Sequence, residues 1–190
     1  MTNSVACVVI ASAKRAQLLD EQVLPSVLAA DFAEVVIVGD FHPGRGYRYL
    51  HVPPLTQTTT DALVKRDVGT LATTAPWVFY LSDDHAVRHV HTPPEHWLDI
   101  GVPLRFCTLN GNRIMLNMGM DERDQNRPYC AGHAGLFHRR LIQALPWTAQ
   151  PHDRLWDLLS SRTFLASGAR IGSQLGWEIE DMEPEARPWL

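Results

Sequence analysis

An α/β domain, with an open, mostly parallel sheet flanked by helices, is the fold class that the sequence predicts, on three observations. Short runs rich in β-branched and aromatic residues recur at Val5–Ala11 (VACVVIA), Glu34–Asp40 (EVVIVGD) and Trp77–Leu81 (WVFYL). They read as central strands apolar on both faces. Segments of helical period lie between them, the alternation expected of a parallel sheet. The chain has 190 residues, 45% hydrophobic and 20% charged, enough for one domain with a core of its own.

Taken in order, Val5–Ala11 is too short for a typical helix and reads as a buried strand. Ala16–Ala30 carries Leu18, Leu19, Val23, Val27 and Leu28 near a 3.6-residue spacing, and Pro25 predicts a kink or break there. Glu34–Asp40 is a second strand ending in an acid, followed by the turn signals of FHPGRG. GRGYRY, Gly44–Tyr49, reads as a turn entering an edge strand, although its mix of arginine and aromatics also suits nucleic-acid contact. Thr58–Thr60 offer an N-cap to a helix over Ala62–Thr70. Trp77–Leu81 then runs straight into Ser82-Asp83-Asp84-His85. Beyond it, Arg105–Asn110 and Asn112–Asn117 flank an Asn-Gly pair and predict a hairpin. Gly132–Gly135 reads as a loop, Leu136–Ala144 as a short helix, and Asp153–Ala166 as another, with Leu155, Leu158, Leu159 and Phe164 inside. The acidic, proline-bearing tail Glu178–Pro188 is expected to be poorly ordered.

Composition narrows the function classes. A formal charge of −4 argues against general polyanion binding. Cys7, Cys107 and Cys130 form no CxxC pair and read as reduced thiols of a cytoplasmic protein. The opening apolar run lacks a basic segment before it, so no export signal is predicted. No stretch reaches the roughly 18 apolar residues of a membrane span.

Ligands of open α/β sheets bind at the carboxyl ends of the strands. Asp40 and Asp83-Asp84-His85 fall at such ends, so one crevice is expected to receive both. Two adjacent carboxylates and an imidazole suit a hard divalent cation such as Mg²⁺ or Mn²⁺, while the same acids equally suit a helix cap or turn. A rival reading uses His85, His89, His91 and His96. With His85 and His89 four apart on one helix face, these would suggest a zinc-dependent hydrolase, but Pro93-Pro94 interrupt the segment and no HExxH pattern is present.

The first half of the chain resembles the nucleotide-sugar-binding half of the GT-A glycosyltransferases, especially their family-2-like group. SVACVVIASAKR is similar to that group's opening strand and turn, VSVVIPTYNR, and EVVIVGDF to its second strand, IIVVDDGS. RDVGTLATTAPWVFYLSDD, Arg66–Asp84, lines up without a gap against RNxGxxxATGEYIxFLDDD. The resemblance implies one GT-A (Rossmann-like) domain over 1–190, with 1–100 the nucleotide-sugar half and 101–190 the acceptor half. It implies that Ser12, Asp40, Arg66 and Asp83 contact the nucleotide donor, and that Asp84, with Asp83 or His85, holds Mn²⁺ or Mg²⁺; in the alternative Asp-x-His register, Asp83 and His85 are the two ligands.

Further along, YCAGHAGLFHRRLIQAL resembles the acceptor-side segment, and Asp153 falls where inverting members carry their catalytic base. Asp153 also fits a helix N-cap. His133 and Trp156 are weaker candidates for contact with donor or acceptor sugar. Gly39 and Ser82 stand where the family commonly has acids. The implied activity is metal-dependent transfer of a sugar from a nucleotide-diphosphate sugar, UDP-sugar favoured, to a hydroxyl of a saccharide, a small molecule or a hydroxylated nucleobase in DNA. A non-catalytic nucleotide- or carbohydrate-binding module is the other alternative.

Overall fold

The computed structural model describes residues 4–41, 47–55, 58–90, 93–117, 134–150 and 156–183, omitting the side chains of 58, 59, 117 and 156–158. The strands among them are β1 (Val5–Ala11), β2 (Glu34–Gly39), β3 (Arg48–His51), β4 (Trp77–Ser82), β5 (His85–Val90), β6 (Ile100–Leu109), β7 (Asn112–Asn117), β8 (Ala134–His138) and β9 (Ile171–Asp181). They form one sheet in the order β3-β2-β1-β4-β8-β6-β9-β5, with β7 paired to β6. β1–β2, β1–β4, β2–β3 and β6–β9 pair parallel. β4–β8, β5–β9, β6–β7 and β6–β8 pair antiparallel. The expected mostly parallel sheet therefore describes only the β3-β2-β1-β4 side; the whole sheet is mixed.

Period-two alternation sorts the strand residues onto two faces. Val5, Cys7 and Val9 of β1 and Trp77, Phe79 and Leu81 of β4 meet Leu19, Val23, Leu24 and Val27. Val8 of β1 and Val78 and Tyr80 of β4 meet Leu63, Trp147 and Phe164 on the other face. The first layer is a run of helical segments: a 3₁₀ turn at Ala13–Arg15, α1 (Ala16–Leu18), a π turn at Leu19–Val23 and α2 (Leu24–Ala29). Pro25, within the first turn of α2, has no N–H for the ladder, and the irregularity it predicts appears as the π turn just before it. On the opposite face, α3 (Thr58–Leu71) starts earlier than its expected cap, and α4 (Arg139–Ala144) and α5 (Trp156–Ala166) follow.

Three expectations need correction. Gly135 and Leu136–His138 belong to β8 rather than to a loop and helix, since β4 leaves an antiparallel slot that buries Ala134, Leu136 and Phe137. The start of the acidic tail is the end of β9, where Trp177, Ile179 and Asp181 alternate inward with Glu178 and Glu180. His85 and His89 lie on strand β5, with a register shift between Val87 and His89, so they do not share a helix face. The imidazole of His85 is fully buried and that of His89 half exposed, while His91 lies outside the described residues. The Asn-Gly hairpin joins β6 to β7 as expected, with φ of 50° at Asn110 and 78° at Gly111. Of GRGYRY, Arg48 and Tyr49 belong to β3, an edge strand among the described residues, while Gly44, Arg45 and Gly46 lie outside the described residues.

Candidate functional site

β1, β2 and β4 run parallel and deliver Ser12, Asp40 and Asp83 to one edge of the sheet. From β1 the chain moves to β2 on one side and later returns to β4 on the other. That reversal opens the crevice in which such sheets receive ligands. The turn after β1 occupies it. Ser12 donates from its N–H and Oγ–H to Asp83 Oδ2, at 2.6 and 2.8 Å. The next amide, Ala13 N–H, donates to Asp40 Oδ1 at 3.0 Å. Consecutive amides of one turn thus hold two acids that are 43 positions apart in the sequence.

Arg15, at the end of the same turn, spans three carboxylates. Its Nη1 is 3.1 Å from Asp83 Oδ1, its Nη2 3.4 Å from Asp84 Oδ2 and its Nε 2.8 Å from Glu183 Oε2. Asp83 and Asp84 are each 3% exposed, whereas a third of the Arg15 side chain faces solvent. Burial pushes the Asp83 carboxyl above the ordinary range, opposed by the Ser12 hydrogen bonds and the Arg15 charge. Burial would weaken the charge on Arg15, but Asp84, Glu183 and Asp83 outweigh it and hold the guanidinium protonated.

The second wall comes from β9. His85 Nδ1 sits 2.6 Å from Asp84 Oδ1, and His85 Nε2 is 4.0 Å from Asp181 Oδ2. Asp181 Oδ2 accepts from Arg105 Nη2 at 2.6 Å, and Met182 N–H donates to the Asp84 carbonyl at 2.8 Å. At the β2 side, the middle of α3 brings in Lys65, which is buried. Its Nζ donates to Asp61 Oδ2 at 2.7 Å and to the Ala11 carbonyl at 3.2 Å, and lies 3.9 Å from Asp40 Oδ1.

Of the residues singled out in the sequence, Ser12, Asp40, Asp83, Asp84 and His85 therefore lie in one connected cluster. Arg66 lies among aromatic side chains in the layer between α3 and the sheet. It is buried, with its guanidinium 5.1 Å from the Trp147 ring centroid and 5.7 Å from that of Tyr80. Asp153, His133 and the side chain of Trp156 lie outside the described residues. Arg15, Lys65, Asp181 and Glu183 are members of the cluster that the sequence reading passed over. Arg15 had a signal, because it is the arginine that closes SVACVVIASAKR, as an arginine closes VSVVIPTYNR. Asp181 and Glu183 had none beyond the alternation of β9.

The donor set does not suit Mn²⁺ or Mg²⁺ as it is arranged. Both oxygens of Asp83 and both of Asp84 already face a donor in Ser12, His85 or Arg15, and the guanidinium stands between the two carboxylates. Among the described residues, no group of three or more His, Cys, Asp and Glu side chains is placed to ligate one ion.

Compared with known proteins, the chain matches no family profile, and no curated protein matches it in sequence. Among solved structures it is similar to residues 1–349 of TarS from S. aureus, with a TM-score of 0.59 and 13% identity over 96% of this chain. The chain spans 61% of the length of that fragment. The likeness is one of fold, an α/β domain with a mixed, open sheet.

Proposed function

We propose that this chain is a glycosyltransferase that binds a nucleotide-diphosphate sugar, a UDP-sugar by preference, in the crevice above β1 and passes the sugar to an acceptor hydroxyl. One observation carries the reading: consecutive amides of Ser12 and Ala13 hold Asp83 and Asp40 at the crevice of a sheet whose fold is similar to that of TarS, a glycosyltransferase. In this reading Asp40, at the end of β2, accepts hydrogen bonds from the nucleoside. Ser12 and Asp83 shape the floor on which the ribose and diphosphate rest. An attacking hydroxyl must lose its proton as the new bond forms, and a carboxylate opposite the leaving group takes it, which gives inversion. Asp153 is proposed for that part. Saccharides, small molecules and hydroxylated bases in DNA all present such a hydroxyl. Residues 1–100 are proposed to supply the donor half of the reaction and 101–190 the acceptor half.

A thermal-shift screen of UDP, GDP, dTDP and their sugars tests the binding step. A UDP-sugar is expected to raise the unfolding midpoint by linkage, and Asp40→Ala to abolish most of that shift while the ligand-free midpoint changes little. Turnover is tested separately. Asp153→Asn is expected to lower release of UDP from its sugar by about 10²-fold or more and to leave the midpoint shift in place. A shift without any release in the unmodified protein would make it a binding module instead.

A further inference from the structure

We infer that Arg15 is the resident cation of the Asp83–Asp84 pair and excludes a divalent metal ion from it. The guanidinium uses all three of its nitrogens on three different carboxylates: Nη1 on Asp83, Nη2 on Asp84 and Nε on Glu183. It thereby bridges adjacent acids, which is what a hard divalent ion does in a site of this kind. The outward oxygens do not offer an alternative. Asp83 Oδ2 takes the N–H and hydroxyl of Ser12, and Asp84 Oδ1 faces the imidazole of buried His85. A metal ion would have to expel Arg15 from charge-assisted contacts with two nearly buried carboxylates, and lose the advantage of a cation already fixed by the chain. The arginine also cannot be neutralised by a proton loss to make way, because its charge persists throughout the physiological range. The placement follows from the fold. The 3₁₀ turn Ala13–Arg15 begins directly after the residue that clasps Asp83, so the fork and the acid pair are set by the same few residues. This assignment stands on the geometry of the acid pair. Joined to the proposed function, on which that extension rests, it makes donor binding independent of divalent ions.

Manganese alone, followed by the electron-paramagnetic signal of the free ion, tests the assignment on the full chain without nucleotide. The unmodified protein is expected to leave the free Mn²⁺ signal intact. Arg15→Met is expected to take up one equivalent of Mn²⁺ with at least about a tenfold gain in affinity, since a positive charge beside both carboxylates is gone. Asp84→Asn added to that variant should abolish the uptake. One equivalent bound by the unmodified protein and lost in Asp84→Asn overturns the assignment, as does a folded Arg15→Met that binds no Mn²⁺. Should Arg15→Met fail to fold, the Arg15 Nε–H resonance of the unmodified protein decides the matter. It should stay in place under added Mg²⁺, and a saturable displacement overturns the assignment. UDP then separates this assignment from the functional reading. Equal midpoint shifts in EDTA and in Mn²⁺ support both. A shift that requires Mn²⁺ overturns the role of Arg15 and leaves the transferase reading standing. No shift with any nucleotide sugar, with Mn²⁺ still excluded, removes the transferase reading and leaves Arg15 in place.

Discussion

Ser12 and Asp83 show how few atoms define the crevice. Asp83→Asn replaces an oxygen with an N–H₂ that must face either the Ser12 donors or Arg15, so one of them loses its acceptor. It is expected to cost about 1–3 kcal/mol in denaturant unfolding. Ser12→Ala keeps the backbone donor and removes only the hydroxyl, for about 1 kcal/mol. Gly39 stands where the GT-A pattern that the sequence resembles commonly has an acid. A Cβ there would stand 2.2 Å from the Ala11 carbonyl oxygen on the neighbouring strand, so no larger residue fits at this position. Gly39→Ala is expected to lower the unfolding midpoint, at a cost of about 1–3 kcal/mol, because the obstruction is backbone rather than a flexible side chain. At this scale the sequence revealed the acids and hid their partners. Asp40, Asp83 and Asp84 close buried runs and could be read as a set, but nothing local tells which cation answers them. Arg15 does so only because the turn after β1 folds back over β4, and Lys65 only because α3 crosses the end of β1.

Strands β1, β2 and β4 and helix α3 were legible because their periods are unbroken and their flanks carry turn residues. The acceptor half was harder. β8 is five residues long and contains a glycine, so it owes its existence to the slot beside β4 rather than to propensity. β9 pairs with β6 in two registers, which shift between Pro103 and Leu104. Pro103 has no N–H to give the ladder, and Gly176 has a φ of 85° within the extra residues opposite, so the interruption has a source in both strands. The packing of α3 on β1 is equally local: a Cβ on Gly69 would meet Val8 Cγ1 at 2.2 Å. Asp99, just before β6, ties three elements together. Its Oδ2 accepts from the Arg170 N–H and Nε, and its Oδ1 from Arg140 Nη2. Burial alone would raise the Asp99 carboxyl, but the Arg170 N–H and the two guanidinium groups bring it down to about 2. A folded-state value below the unfolded one means that stability is present above the unfolded value of about 4 and is lost as pH falls through the folded one. Unfolding midpoints measured from pH 5 down to 2 should therefore decline more steeply in the unmodified protein than in Asp99→Asn.

For the molecule as a whole, β9 is not a peripheral addition. It lies between β6 and β5 and contributes Trp177 and Ile179, which are buried on the face that holds the first helical layer. Deleting residues 171–190 should abolish cooperative unfolding followed by tryptophan fluorescence, since β5 would lose its only partner among the described strands. The same strand has a temporal consequence. Asp181 meets Arg105 and His85, and Glu183 meets Arg15, across separations of up to 168 positions. A chain emerging from the ribosome can therefore assemble the β1–β4 half early, yet its crevice gains its last wall only once β9 has been made. Newly made protein stays incompetent for ligand until β9 has been threaded in beside β6 and has taken up β5 on its other edge.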